Sequence, residues 1–182
     1  MKGCNMNNII IYGSQYGITK KYAEELSRRT SIEAISFKDI KEINHYDKII
    51  YLGGIYAGGV LGMSSTLKKL DDISNKTIIL ITVGLADPTD QENINNIRNN
   101  MKRQIKQEVF EKAKIFHLRG GIDYTKLNFM HKTMMKLLYN AVKKLPEEKK
   151  TAEDRAMIDT YNQKVSFVDF SSLDAIISEI QK

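Results

Sequence analysis

The sequence predicts an α/β fold built on a doubly wound, parallel sheet. Two observations carry that prediction. Short apolar runs alternate with longer segments of helical period, and nearly all the glycines fall just after the runs. The runs are Ile9–Tyr12, Ile32–Phe37, Lys48–Leu52, Thr77–Val83 and Lys114–Leu118. Each is four to seven residues long, rich in β-branched residues and apolar on both alternating faces, as strands covered by helices on both sides must be.

Between the runs the period changes to that of a helix. Ile18, Tyr22 and Leu26 recur every four residues. Ile94, Ile97, Met101, Ile105 and Val109 form one longer stripe, which a capping box at Thr89 and Glu92 would open. A last helix carries Leu173, Ile176, Ile177 and Ile180 behind Ser171 and Asp174. There is no internal repeat and no low-complexity stretch, and 182 residues suit a single domain spanning 1–182.

Composition narrows the function classes. With 42% apolar and 27% charged residues the chain reads as globular, and no apolar run approaches the ~18–20 residues that cross a bilayer. The polar start Met1–Asn8 runs directly into the first strand, so no secretory signal is expected and the chain is read as cytoplasmic. One cysteine excludes an internal disulfide or a Cys-x-x-Cys pair, and three scattered histidines make a protein-built metal site improbable. Redox chemistry would therefore sit on a bound organic cofactor. The net charge of +6 is local. Between Thr125 and Lys150 stand seven lysines against two glutamates, which accounts for five of the six excess charges. No nucleic-acid partner is expected.

The glycines locate a rim. Apart from Gly3, all follow the first, third, fourth or fifth strand: Gly13 and Gly17; Gly53, Gly54, Gly58, Gly59 and Gly62; Gly84; Gly120 and Gly121. Open α/β sheets bind ligands outside the carboxyl ends of their strands. Glycines can also simply close strand–helix turns, but ten of them on one edge favour a binding rim.

The first turn, Gly13-Ser14-Gln15-Tyr16-Gly17-Ile18-Thr19, opens a helix. It gathers backbone N–H groups, two hydroxyls and a helix N-terminus around one point, which suits a phosphate dianion without a basic side chain. The spacing is neither a Walker loop nor a dinucleotide fingerprint. There is no acidic pair ending the strand, as a receiver domain needs, and Cys4 lies before the strand rather than after it. A single phosphate on a non-dinucleotide ligand survives these exclusions.

Ser14-x-Tyr16-Gly17-x-Thr19 after an apolar strand resembles the phosphate loop of flavodoxins, and Gly53-Gly54-Ile55-Tyr56-Ala57-Gly58 is similar to their second flavin loop. About 35 residues separate the two, enough for helix, strand and helix. The resemblance implies a five-stranded sheet of order 2-1-3-4-5 holding FMN. By position, Ser14, Gln15, Tyr16, Gly17, Ile18 and Thr19 would cradle the phosphate. Ile55, Tyr56, Ala57 and Gly58 would line the isoalloxazine, with Gly84, Leu85 and Ala86 on the fourth-strand turn. Tyr56 is the expected stacking partner, since an amphipathic aromatic can cover a flavin face. Asp87-Pro88 reads as a turn, and His45 and His117 as structural. No catalytic side chain and no metal ligand is assigned.

After the fifth strand, Gly120-Gly121-Ile122-Asp123-Tyr124 leads into an amphipathic helix to about Leu145, within a basic helical insertion over 122–164. Leu127, Met130, Met134, Leu138, Val142 and Leu145 make its apolar face, broadened by Phe129, Met135, Leu137 and Ala141. This segment resembles, more loosely, the insertion of menaquinone-dependent protoporphyrinogen dehydrogenases. That likeness implies electron flow from a porphyrinogen through FMN to a quinone. The runner-up is a soluble electron carrier between redox proteins, although a pI near 9.2 departs from the acidic habit of such carriers. Three roles for the helix stay open: plain packing on the sheet, a cap over the flavin for a flat substrate, or peripheral contact with an anionic membrane through 125–150.

Overall fold

The computed structural model describes residues 7–56 and 58–182. In chain order the elements are β1 (Asn8–Gly13), α1 (Ile18–Thr30), β2 (Ala34–Ser36), β3 (Lys48–Tyr56), β4 (Gly59–Val60), α2 (Met63–Leu67) and β5 (Thr77–Gly84). There follow α3 (Gln91–Lys102), α4 (Gln107–Lys112), β6 (Lys114–Arg119), β7 (Gly121–Asp123), α5 (Phe129–Lys143), α6 (Ala152–Asp159), β8 (Lys164–Ser166) and α7 (Asp174–Ile180). The main sheet runs β2-β1-β3-β5-β6, parallel throughout, with β4 paired antiparallel to β3 at its end. Setting β4 aside, this is the predicted order 2-1-3-4-5.

Each face of the sheet buries its own core. On one side Ile9, Ile11, Ile49, Tyr51, Ile78 and Leu80 pack with Met63, Leu67, Ile97, Met101 and Val109 from α2, α3 and α4. On the other, Ile10, Ile50, Leu52, Ile79 and Ile81 meet Tyr22, Ala23 and Leu26 of α1 and Leu173, Ile176 and Ile180 at α7. Consecutive residues of β1 thus alternate between two buried faces, which is why the strands read as unbroken apolar runs. Lys48, at the start of β3, is almost wholly buried, and its ammonium donates to the carbonyl of Ile180. It supplies the cation that the last turn of α7 lacks in its own sequence.

The structure corrects several sequence expectations. The second strand spans only Ala34–Ser36, because it is the sheet's edge and pairs on one side only. The stripe from Ile94 to Val109 is two helices, with a break at residues 103–106. The cap of α3 is Asp90, whose carboxylate accepts from the Asn93 N–H at 2.9 Å, while Thr89 donates to Asp87 in the preceding turn. At the C-terminus Asp169, rather than Ser171, caps a 3₁₀ turn, Phe170–Leu173, that leads into α7.

The segment after β6 is more ordered than expected. β7 and β8 pair antiparallel, Gly121 opposite Ser166 and Asp123 opposite Lys164, so residues 124–163 leave and rejoin the sheet edge through a two-stranded ribbon. Inside it Tyr124, Leu127, Val142 and Met157 are buried, and Tyr139 stacks on Tyr161 with ring centroids 3.9 Å apart. α6 opens with a full capping box between Thr151 and Asp154. The expected apolar face of α5 is not turned inward. Leu127 and Val142 are buried, but Met130, Met134, Leu138 and Leu145 lie exposed beside Phe129 and Leu137. The inward face is instead His131, Met135, Tyr139 and Val142, one helical stripe further round. Among the described residues no helix is long and apolar enough to cross a membrane.

Candidate functional site

The site is built where β1, β3 and β5, neighbours in the sheet, reach their carboxyl ends. After β1 the chain turns through Ser14, Gln15 and Tyr16, and the Ser14 hydroxyl accepts from the Gly17 N–H at 3.1 Å. Gly17 takes φ 92°, a left-handed conformation that a side chain would strain, with open space around its α-carbon. It is the N-cap of α1, and no side chain caps the first turn. The N–H groups of Ile18, Thr19 and Lys20 therefore lack intrahelical partners. Thr19 is buried, and a Cβ at Gly54 would lie 3.0 Å from its hydroxyl. The first loop and β3 approach as closely as they do because Gly54 has no side chain.

The second predicted loop is a tight hairpin. β3 runs on through Gly53 and Gly54 to Tyr56 and returns as β4, with Ile55 opposite Val60 and Tyr56 opposite Gly59. Gly58 takes φ 78° at the bend, and Ala57 lies outside the described residues. Gly84 ends β5, and a Cβ there would sit 2.8 Å from Ile55 Cδ1, so the second and third segments touch. Leu85 and Ala86 follow. The structure thus brings the described members of all three predicted segments to one edge.

Two residues that sequence reading missed complete this edge, both from the insertion. His131 of α5, 7% exposed, sits between the first two loops. Its Nδ1 is hydrogen-bonded to the Tyr16 hydroxyl, and its Nε2 lies 2.6 Å from the Tyr56 hydroxyl. A neutral imidazole donates through one nitrogen and accepts through the other, so one proton chain runs from tyrosine to tyrosine. Burial pushes the Tyr16 hydroxyl above its ordinary pKa and the nearby Tyr56 adds to the shift, against a lowering hydrogen bond from the Asn128 backbone. Asn128 also caps α5, accepting from the His131 N–H at 2.8 Å, which fixes the turn that aims the imidazole.

Glu153 of α6 reaches the third segment. Its carboxylate accepts from the N–H of Leu85 at 3.3 Å and of Ala86 at 3.0 Å. Burial pushes its carboxyl above the usual range, only partly offset by those two bonds. His131 had a legible signal, since the Asn128 cap sets the phase of α5 and puts His131 on a face with Val142. Glu153 had none, because its partners lie 67 and 68 residues back along the chain.

The flavodoxin domain model matches residues 9–150. The chain belongs to the flavodoxin domain family. Its sheet order and two-sided helical cover are those of a flavodoxin-like fold. Among solved structures it is similar to a flavoprotein in complex with FMN from Lactobacillus acidophilus NCFM. That pair shares 14% identity, covering 63% of this chain and 93% of the other at a TM-score of 0.43. It is also similar to a cysteine-to-alanine mutant of flavodoxin from Pseudomonas aeruginosa, at 14% identity over 72% of this chain and 93% of that one, with a TM-score of 0.41. No curated protein matches the chain.

The residues of the flavodoxin domain fit a planar ligand carrying one phosphate. The uncapped first turn of α1 offers unpaired donors beside two hydroxyls, and the left-handed Gly17 leaves the approach open. At the other end the Leu85 and Ala86 N–H groups form a donor pair that accepts a planar oxygen edge, as the Glu153 carboxylate shows. Among the described residues no cluster of His, Cys, Asp or Glu is placed to hold a metal ion.

Proposed function

We propose that this flavodoxin domain binds FMN and works as an oxidoreductase whose insertion governs access to the flavin, in the manner of protoporphyrinogen dehydrogenases. One observation carries the reading. The insertion touches each of the three loops predicted to hold the cofactor, through His131 at Tyr16 and Tyr56 and through Glu153 at Leu85 and Ala86. A simple carrier needs its flavin edge open to protein partners, whereas an enzyme gains by controlling what reaches it.

Ser14, Thr19 and the first-turn amides of α1 hold the phosphate. Tyr56 and Ile55 flank the ring, and the donors at 85–86 orient its oxygen edge. When bound, FMN supplies the two-electron redox chemistry. Each turnover would remove two electrons and two protons from a reduced macrocyclic substrate and deliver them to an acceptor such as a quinone. Lys132, Lys136 and Lys143 lie exposed along one flank of α5, with Lys132 next to His131 in the chain, and suit substrate carboxylates such as porphyrinogen propionates. The exposed face of α5 also suits contact with an anionic membrane surface, where a quinone would be met.

The test is turnover: the FMN-loaded protein oxidises protoporphyrinogen with a quinone acceptor. No turnover, together with rapid electron exchange with a flavoprotein reductase, favours the second reading, a carrier that docks partners on the basic α5.

A further inference from the structure

The two insertion side chains at the rim do more than neighbour the loops. Glu153 occupies both donors of the third segment, and each N–H has one hydrogen to give. His131 fills the gap between the first two loops and engages the hydroxyls of both flanking tyrosines. The Leu85 and Ala86 donors are the groups that the oxygen edge of a flavin ring would need here, and Tyr56 is the side chain expected against its face. We propose that the insertion is a latch: Glu153 and His131 stand in the ring's place, and FMN enters by displacing them. The inference rests on the FMN reading above and adds to it the event that couples cofactor binding to movement of the insertion.

The insertion carries its own tyrosine core and joins the sheet edge through the β7–β8 ribbon, so breaking the two rim contacts leaves that core in place. Glu153 is also the weak point of the closure. It gains two hydrogen bonds but loses hydration in a half-buried place, so its hold is modest and reversible.

The test compares wild type with Glu153→Ala and Glu153→Gln. The carboxylate makes no part of the α6 cap, which belongs to Thr151 and Asp154, so both variants keep the helix, as circular dichroism will verify. In flavin-free protein the latch predicts that amide exchange at Leu85 and Ala86 is on the order of tenfold faster in Glu153→Ala, with Glu153→Gln in between. FMN, followed by quenching of its fluorescence, then binds Glu153→Ala about tenfold more tightly than wild type, because the ring no longer competes with a tethered carboxylate. His131→Ala shifts affinity the same way. Unchanged exchange at Leu85 and Ala86 overturns the latch. So does weaker FMN binding in Glu153→Ala, which would mean that Glu153 holds a bound cofactor in. If neither wild type nor Glu153→Ala takes FMN, the cofactor reading fails and the latch with it, whereas FMN binding with unchanged exchange sinks the latch alone.

Discussion

Ser14, Thr19 and Lys48 show how single side chains in this fold serve different ends. Ser14 and Thr19 are small hydroxyl residues beside an uncapped helix start, where under the proposed reading a charge-assisted hydrogen bond to phosphate would contribute about 1.5–3 kcal/mol each. Replacing Ser14 by Ala or Thr19 by Val is expected to weaken FMN binding by roughly ten- to a hundredfold while leaving thermal stability near wild type. Fluorescence titration and a thermal melt check both halves. Lys48 is the opposite case, a buried charge whose partner is the last carbonyl of α7. Lys48→Met is expected to lose about 1–3 kcal/mol, seen as a fall in Tm, with FMN affinity untouched. The strand end, turn and helix start of the first loop fall where the sequence predicts them because that pattern is contiguous: a strand, hydroxyls, a glycine and a helix start. Nothing in the sequence hints that Lys48 is buried, since the carbonyl that stabilises it lies 132 residues away.

Among the elements, the sheet strands were legible and the insertion only in part. Strands buried on both faces announce themselves as unbroken β-branched runs. Helix boundaries were blurred where two short helices share one apolar period, as α3 and α4 do, and where several polar residues compete to cap, as Thr89 and Asp90 do. α5 misled because it is apolar on two sides. One stripe meets the insertion's core through Val142, and the other is left in solvent, with Phe129 at 86%, Met130 at 69% and Leu137 at 66% exposure. Period alone could not say which stripe faces inward. An exposed patch of that kind marks an interaction surface. With lysines on its flank, the expected outcome is co-sedimentation with vesicles containing anionic lipid, weakened by salt and abolished in a Phe129→Ser, Leu137→Ser variant that folds normally. Equal binding to neutral vesicles, or none at all, removes the membrane from the account.

For the whole molecule, the same packing that positions the rim sets its response to pH. His117 in β6 is largely buried, bonded through Nδ1 to the Thr82 hydroxyl at 2.7 Å, with its Nε2 left without a partner. Burial, reinforced by the Arg98 charge, lowers its pKa to about 4 from 6.5. The unfolded chain thus takes up a proton at a higher pH than the folded one does. Stability from this group is present above pH 6.5 and is lost as pH falls toward about 4. Allowing for its partial exposure, the loss is about 1–2 kcal/mol, read as a drop in Tm across that window and flattened in His117→Gln.

The central claim is that the loop after β1 grips a phosphate belonging to a flavin. It is tested most directly by titrating the purified protein with FMN and with riboflavin, which differ only in that group. The account predicts FMN to bind at least about a hundredfold more tightly than riboflavin, with most of the difference erased in a Ser14→Ala, Thr19→Val double variant. Equal affinities for the two flavins, or a preference that the double variant leaves intact, would contradict it.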